Sequence, residues 1–168
     1  FIKEHKPDIL CLQETKAEAM QLDEALRNVP GYRSFWCSAE KKGYSGVGIY
    51  TKISPKDVVY GLGEKEFDSE GRTLRLDFKD FVLFNIYFPN GGAGNKRVPF
   101  KMAFYDFFLK QVEKLRKEGL GVFEAVDGEE GLKTAKAKLP DMVLLDLILP
   151  GLDGFEILKI LKSDKNTS

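Results

Sequence analysis

The segment "PDILCLQETK", residues 7–16, sets a carboxylate, Glu14, at the C-terminal end of an apolar run. Open α/β-type sheets hold their chemistry at such strand ends, where a charged group can reach solvent or a cation. One acid makes a ligand or a solvated charge, not a reaction, so its partners decide. Imidazole and thiol chemistry is thinly supplied: His5 is the single histidine, and Cys11 and Cys37 have no second Cys or His at metal-ligand spacing. Both thiols read as reduced packing groups. Lys41, Lys42, Lys96 and Arg97 lie in loop-like sequence, where they could meet DNA phosphates or simply stay solvated.

The elements that must hold these residues come in two styles. Residues 8–14 form a nearly continuous apolar run, expected of a strand covered on both faces. Residues 32–39, 46–52, 73–78 and 81–88 show alternation or aromatic and β-branched enrichment. Gly, Pro, Asn and Asp clusters between them predict a meander of neighbouring strands, interrupted by one helix over about 18–27. A long helix is predicted over about 98–117, with Phe104, Phe107, Phe108, Val112 and Leu115 at three- and four-residue steps and Gly119 as its left-handed stop. Trp36, Phe35 and the helix phenylalanines read as core. Beyond Gly119 the pattern changes to strand 121–126, helix 129–138, strand 141–149 and helix 153–161, the alternation of a parallel sheet.

Composition sets outer bounds. A chain of 168 residues with 43% hydrophobic and 31% charged residues reads as globular, and Lys plus Arg balance Asp plus Glu at 26 each. Without net charge, polyanion binding must come from a local patch. No apolar run reaches the roughly 20 residues that cross a bilayer, and the first residues lack the order of a signal peptide. The expected setting is cytoplasmic, away from membranes.

"PDILCLQETK", "GYRSFWCSAEKKGYSGVGIYTK" (31–52), "EGRTLRLDF" (70–78) and "VLFNIYFPNG" (82–91), in this order, resemble the exonuclease III and abasic-site endonuclease family of metal-dependent phosphodiesterases. The resemblance covers about residues 1–118. It implies that Glu14 binds a divalent metal, Mg²⁺, and that Tyr87 lies against the scissile phosphate of DNA. A hard cation on oxygen ligands polarises a phosphate, and a phenol can donate to it. The family also has an earlier strand with an Asn, a Gly-Asp-Phe-Asn strand end after the long helix, and a late Asp-His pair. None of these is found in place in this sequence.

"VFEAVDGEEGL" (122–132) and "LPDMVLLDLILPGLDGFEIL" (139–158) resemble the receiver domain of two-component response regulators, over about residues 119–168. Asp146 then matches the phosphoacceptor, with Pro150 and Gly151 at the turn beside it. The acidic pair, Ser or Thr, and Lys that accompany that Asp have no match here, so a phosphoryl group would lack its stabilising partners.

Where the two styles meet, Asp127 falls on the register of the nuclease catalytic Asp. Glu14, Tyr87 and Asp127 then make a partial, vestigial nuclease site. The plainer reading is that Asp127 and Gly128 turn the chain into a helix whose first acids suit its dipole. Glu124 favours that reading, because an interior strand would bury its charge unpaired.

The expected fold class is α/β: the N-terminal half of a nuclease-type α/β/β/α sandwich joined to a βαβα segment of a flavodoxin-like receiver, with fragments 1–118 and 119–168. The expected identity is an engineered or recombined chimera with no complete native active site. The alternatives are a weak Mg²⁺-dependent DNA phosphodiesterase and a phosphoacceptor module at Asp146. Surfaces left by the missing halves predict self-association.

Overall fold

The structure is a computed structural model that describes residues 1–119, 121, 123, 125–140, 143, 145 and 151–167. They divide into two units, Phe1–Lys114 and Leu115–Ser168.

The first unit is built on two three-stranded antiparallel sheets. In one, β3 (Val47–Thr51) is flanked by β1 (Ile9–Gln13) and β2 (Arg33–Cys37); in the other, β5 (Thr73–Asp77) is flanked by β4 (Asp57–Tyr60) and β6 (Val82–Ile86). All five residues of β3 are buried, as a central strand with both faces covered must be. Gly48 makes room on one face: a Cβ there would stand 2.6 Å from the Trp36 ring, which packs edge-on against Tyr50 at 5.5 Å between centroids. Tyr50 donates its hydroxyl hydrogen bond to the Leu26 carbonyl of the short helix α2 (Glu24–Arg27), so α2 covers this outer side.

The two sheets meet face to face, and a polar residue joins them. Asn85 on β6 is 2% exposed, and its amide donates to the carbonyls of Leu12 at 3.0 Å and Gly48 at 2.9 Å. Residues directly opposite across a ladder share a face. Leu74, Leu76, Leu83 and Asn85 therefore point toward the first sheet, and Phe84 points away from it. Phe84 meets Phe108 of the long helix α4 (Val98–Lys117), while Phe67 of α3 (Lys65–Asp68) packs against Phe100, Phe104 and Phe107. Helix, sheet, sheet, helix is the resulting layer order, the α/β fold class expected of the sandwich half.

The second unit contains α5 (Gly128–Lys138) and α6 (Gly154–Ser163). Asp127 and Asp153 cap them, each accepting the third backbone N–H of its helix at 2.9 Å. Ala135, Ile157 and Leu161 form the buried cluster, with Leu132, Leu145 and Leu152 packed against it. Lys136 Nζ lies 3.3 Å from the Asp164 carboxylate, tying the two helices by charge.

Several expectations shift. Helix 98–117 matches Val98–Lys117, and Gly119 does take a left-handed φ of 94°. The helix expected over 18–27 is broken: a 3-10 turn at Ala19–Gln21 closes on Glu18 through a capping box, and Leu22 and Asp23 are extended before α2 begins. No residue of β1 is fully buried, against the expectation of cover on both faces. Among the described residues β1 pairs only with β3, and a continuous apolar run records the lack of charge rather than the number of neighbours. The strands are largely a meander, with β2–β3, β4–β5 and β5–β6 paired in sequence, and β1 departs from it by pairing with β3 and not with β2. Short α1 (Ile2–His5), β4 and α3 went unanticipated. In 121–126 the described residues Gly121, Phe123 and Ala125 are not in a strand, while positions 122 and 124, and with them the Glu124 argument, lie outside the described residues. Most of the strand expected over 141–149, Asp146 included, lies outside them too.

Candidate functional site

Glu14 follows β1 directly and adopts φ 53°, a left-handed backbone that non-glycine residues seldom take. Lys16 repeats it at 53°, and Ser45 on the facing loop has 48°. Two backbone hydrogen bonds hold these loops together, Thr15 N–H to the Gly46 carbonyl at 3.1 Å and Lys16 N–H to the Ser45 carbonyl at 2.8 Å. Gly46, at φ 86°, cannot be replaced freely, because a Cβ there would lie 2.5 Å from Thr15 Oγ1. Such strain persists only where the surroundings over-determine it, and it turns the Glu14 side chain outward from the strand end.

Tyr87 arrives from the other sheet. It lies one residue past β6, and its N–H donates to the Arg72 carbonyl at 2.9 Å, extending the β5–β6 pairing. Its phenol lies near enough to the Glu14 carboxylate for each group to shift the other's titration. The structure therefore brings together Glu14 and Tyr87, which are 73 positions apart in the chain. Lys16 Nζ stands 3.0 Å from Glu14 Oε1. That ammonium, first through its hydrogen bond and then through its charge, holds the Glu14 carboxyl below the usual carboxylate range, with smaller help from Tyr87 and Arg72. Burial, followed by the charge of Glu14, pushes the Tyr87 phenol up.

Arg72 lies beneath this pair. Its side chain is 3% exposed, and each nitrogen of the guanidinium has an acceptor. Nε donates to Glu70 at 2.5 Å, Nη1 to the Tyr87 carbonyl at 2.9 Å and Nη2 to the Tyr44 hydroxyl at 3.1 Å. The guanidinium carbon sits 4.9 Å from the centroid of the Tyr87 ring, a cation–π arrangement. Glu70 also accepts from Arg97 at 2.6 Å, and Arg97 donates to the Tyr44 hydroxyl. Arg97 is thus a paired residue rather than a solvated loop charge. Lys41 lies 5.4 Å above the Tyr44 ring. Sequence reasoning missed Arg72, Glu70 and Tyr44: they stand inside quoted motifs, but no local spacing announces that positions 28 residues apart share a hydrogen bond.

The divalent metal that the nuclease resemblance implies can be tested on this donor set. Mg²⁺ takes about six oxygen ligands, of which a protein commonly supplies one or two carboxylates. Here a single half-exposed carboxylate carries an ammonium on it already, and among the described residues no three His, Cys, Asp or Glu side chains gather where an ion could be held. Asp127 belongs to the second unit, where its carboxylate caps α5.

Comparison with known proteins finds two families. The model of the Endonuclease/Exonuclease/phosphatase family matches residues 1–123, and that of the Response regulator receiver domain matches 107–168. An exodeoxyribonuclease of Bacillus subtilis is 36% identical over 115 residues, 68% of this chain and 44% of that protein. The DNA repair nuclease APEX1 of Danio rerio is 40% identical over 103 residues, 60% of this chain and 33% of that one. Among solved structures, an AP endonuclease from Archaeoglobus fulgidus superposes with a TM-score of 0.58 at 32% identity, covering 67% of this chain and 43% of its own. The chain spans less than half the length of these relatives. With Glu14 and Tyr87 brought together between two facing sheets and the family model covering most of the sequence, the chain belongs to the endonuclease/exonuclease/phosphatase family, and its remainder carries a receiver-domain match.

Proposed function

We propose that the chain joins a nuclease-family part, 1–118, to a receiver-family part, 119–168, as an engineered or recombined chimera, and that it keeps a phosphodiester-contacting pair without a complete hydrolytic site. The observation that carries this reading is the Tyr87 ring, held over the buried Arg72 guanidinium and facing Glu14, where the family resemblance puts the scissile phosphate. What supports the join is the change of pattern at Gly119 and the overlap of the two family matches across 107–123. Two free thiols suit a reducing compartment such as the cytoplasm.

The relatives' names mention DNA repair and abasic sites, so duplex DNA is the natural ligand to test. Tyr87 and Lys16 can donate to a phosphate, but Glu14 repels it. Affinity should be at the weak end of non-specific binding, about 10⁻⁴ M. Fluorescence anisotropy with an abasic-site duplex should show such binding, and the same mixture with Mg²⁺ should show no nicking above a buffer blank. Nicking that disappears in Glu14→Ala would replace this reading with a weak Mg²⁺-dependent phosphodiesterase using Glu14, Tyr87 and Asp127. Treatment with a small-molecule phosphodonor should leave the protein unmodified; label lost in Asp146→Asn would instead make it a phosphoacceptor.

A further inference from the structure

Among the described residues, the side-chain cluster around Arg72 is closely tied. A hollow of about 330 Å³ at the opposite end of β1, lined by Lys3, Lys6, Tyr32 and Lys52, is weaker as a site, because Lys52 is already committed to Asp8 at 3.1 Å. Arg72 has three acceptors from three separate segments and a ring near its guanidinium, so its orientation is fixed on several sides. Glu70 is shared with Arg97, so the placement of Arg72 rests on Tyr44 and Tyr87 as well. The contacts to the Tyr87 carbonyl and to the Tyr87 ring fix that residue's backbone and side chain from below. A planar guanidinium can do both at once; an ammonium cannot, since it lacks the rigid fork and stacks poorly.

We propose that Arg72 is the positioning residue of this site: held by Glu70 and Tyr44, its guanidinium sets the placement of the Tyr87 ring, and through it the contact with a phosphate. Arg97, donating to both Glu70 and Tyr44, extends the same frame to the entry of α4, so the phenol is registered against the long helix as well as against the two sheets. The proposal deepens the phosphodiester-contact reading and rests on it for the ligand, though not for the geometry.

The test combines a signature that needs no ligand with an affinity. In Arg72→Lys the charge stays and the fork is lost. The Tyr87 ring resonances, assigned by comparison with Tyr87→Phe, should move while the remaining amide spectrum stays that of the folded protein. Affinity for a duplex carrying a tetrahydrofuran abasic analogue should fall about tenfold, and Arg72→Lys combined with Tyr87→Phe should fall no further than Tyr87→Phe alone. Should Arg72→Lys not fold, Tyr44→Phe removes one acceptor and keeps the packing, with a smaller displacement of the same resonances expected. Unmoved Tyr87 resonances in every folded variant overturn the proposal, as does an additive double variant. If the wild-type protein fails to bind the duplex, the phosphodiester reading falls, and the resonances alone still decide the role of Arg72.

Discussion

At Glu14 and Tyr87 a carboxylate and a phenol face one another, and each shifts the titration of the other. Lys16 keeps Glu14 ionised, which makes it an acceptor for the phenol and a poor neighbour for a bare phosphate. The Cys37 thiol shows the opposite effect of environment. Burial pushes Cys37 up to about 11. At pH 8 a thiol with that pKa is about 0.1% thiolate, against roughly a quarter for an ordinary cysteine. Labelling of Cys37 by a disulfide reagent should therefore run at least about 100-fold slower than that of free cysteine, rising to the free rate only on unfolding. Equal rates in the native protein would contradict the burial. The packing role of Cys37 was legible from its place after Trp36 in an alternating stretch. Cys11 shares a face with Ile49 and Phe35 but stands on the edge strand β1, and its exposure depends on neighbours that no local pattern reveals.

Helices and strands show how much one segment of sequence can specify. Asp127 and Asp153 announce α5 and α6 because an N-cap is a local transaction between a side chain and the N–H three residues on. Such caps contribute about 1 kcal/mol each. The far end of α6 depends on tertiary structure instead. Asp164 accepts from the Asn166 N–H and pairs with Lys136 of the neighbouring helix, and these, in that order, hold its carboxyl below the usual range. A carboxyl with a lowered folded value contributes stability above its unfolded value and loses that contribution as pH falls through the folded one. Thermal melts taken from pH 7 down to pH 3 should fall less steeply in Asp164→Asn than in the wild-type protein; parallel curves would show that the pair is inert. β4 and α3 escaped the sequence because four-residue elements have no period to detect, and Phe67 makes α3 worthwhile only by meeting three phenylalanines of α4.

For the molecule as a whole, exposed apolar residues carry the main consequence. In the second unit Phe123, Val126, Val143, Phe155 and Leu158 are 43–85% exposed, beside the small cluster of Ala135, Ile157 and Leu161. Apolar surface of this kind favours association with a second copy. Light scattering should show mass rising above 19.0 kDa as concentration increases, with Phe155→Lys returning it toward the monomer. A constant monomer mass across a wide concentration range would count against association. Among the described residues no helix is long and apolar enough to cross a membrane.

By itself the sequence determined what is local or repeated in a known order: the strand-end place of Glu14, the α4 stripe with its stop at Gly119, the turn into α5 at Asp127, and the two family patterns whose meeting marks the seam. Those features rest on neighbours a few positions away, or on wording long enough to be specific. Tertiary structure alone decided that Asn85 joins the sheets, that β1 pairs with β3 and not with β2, and that Tyr44, Glu70, Arg72 and Arg97 frame Tyr87. Each of these needs groups tens of residues apart to meet. That meeting is set by how two sheets and a helix bury their apolar faces against one another, which no stretch of sequence encodes alone.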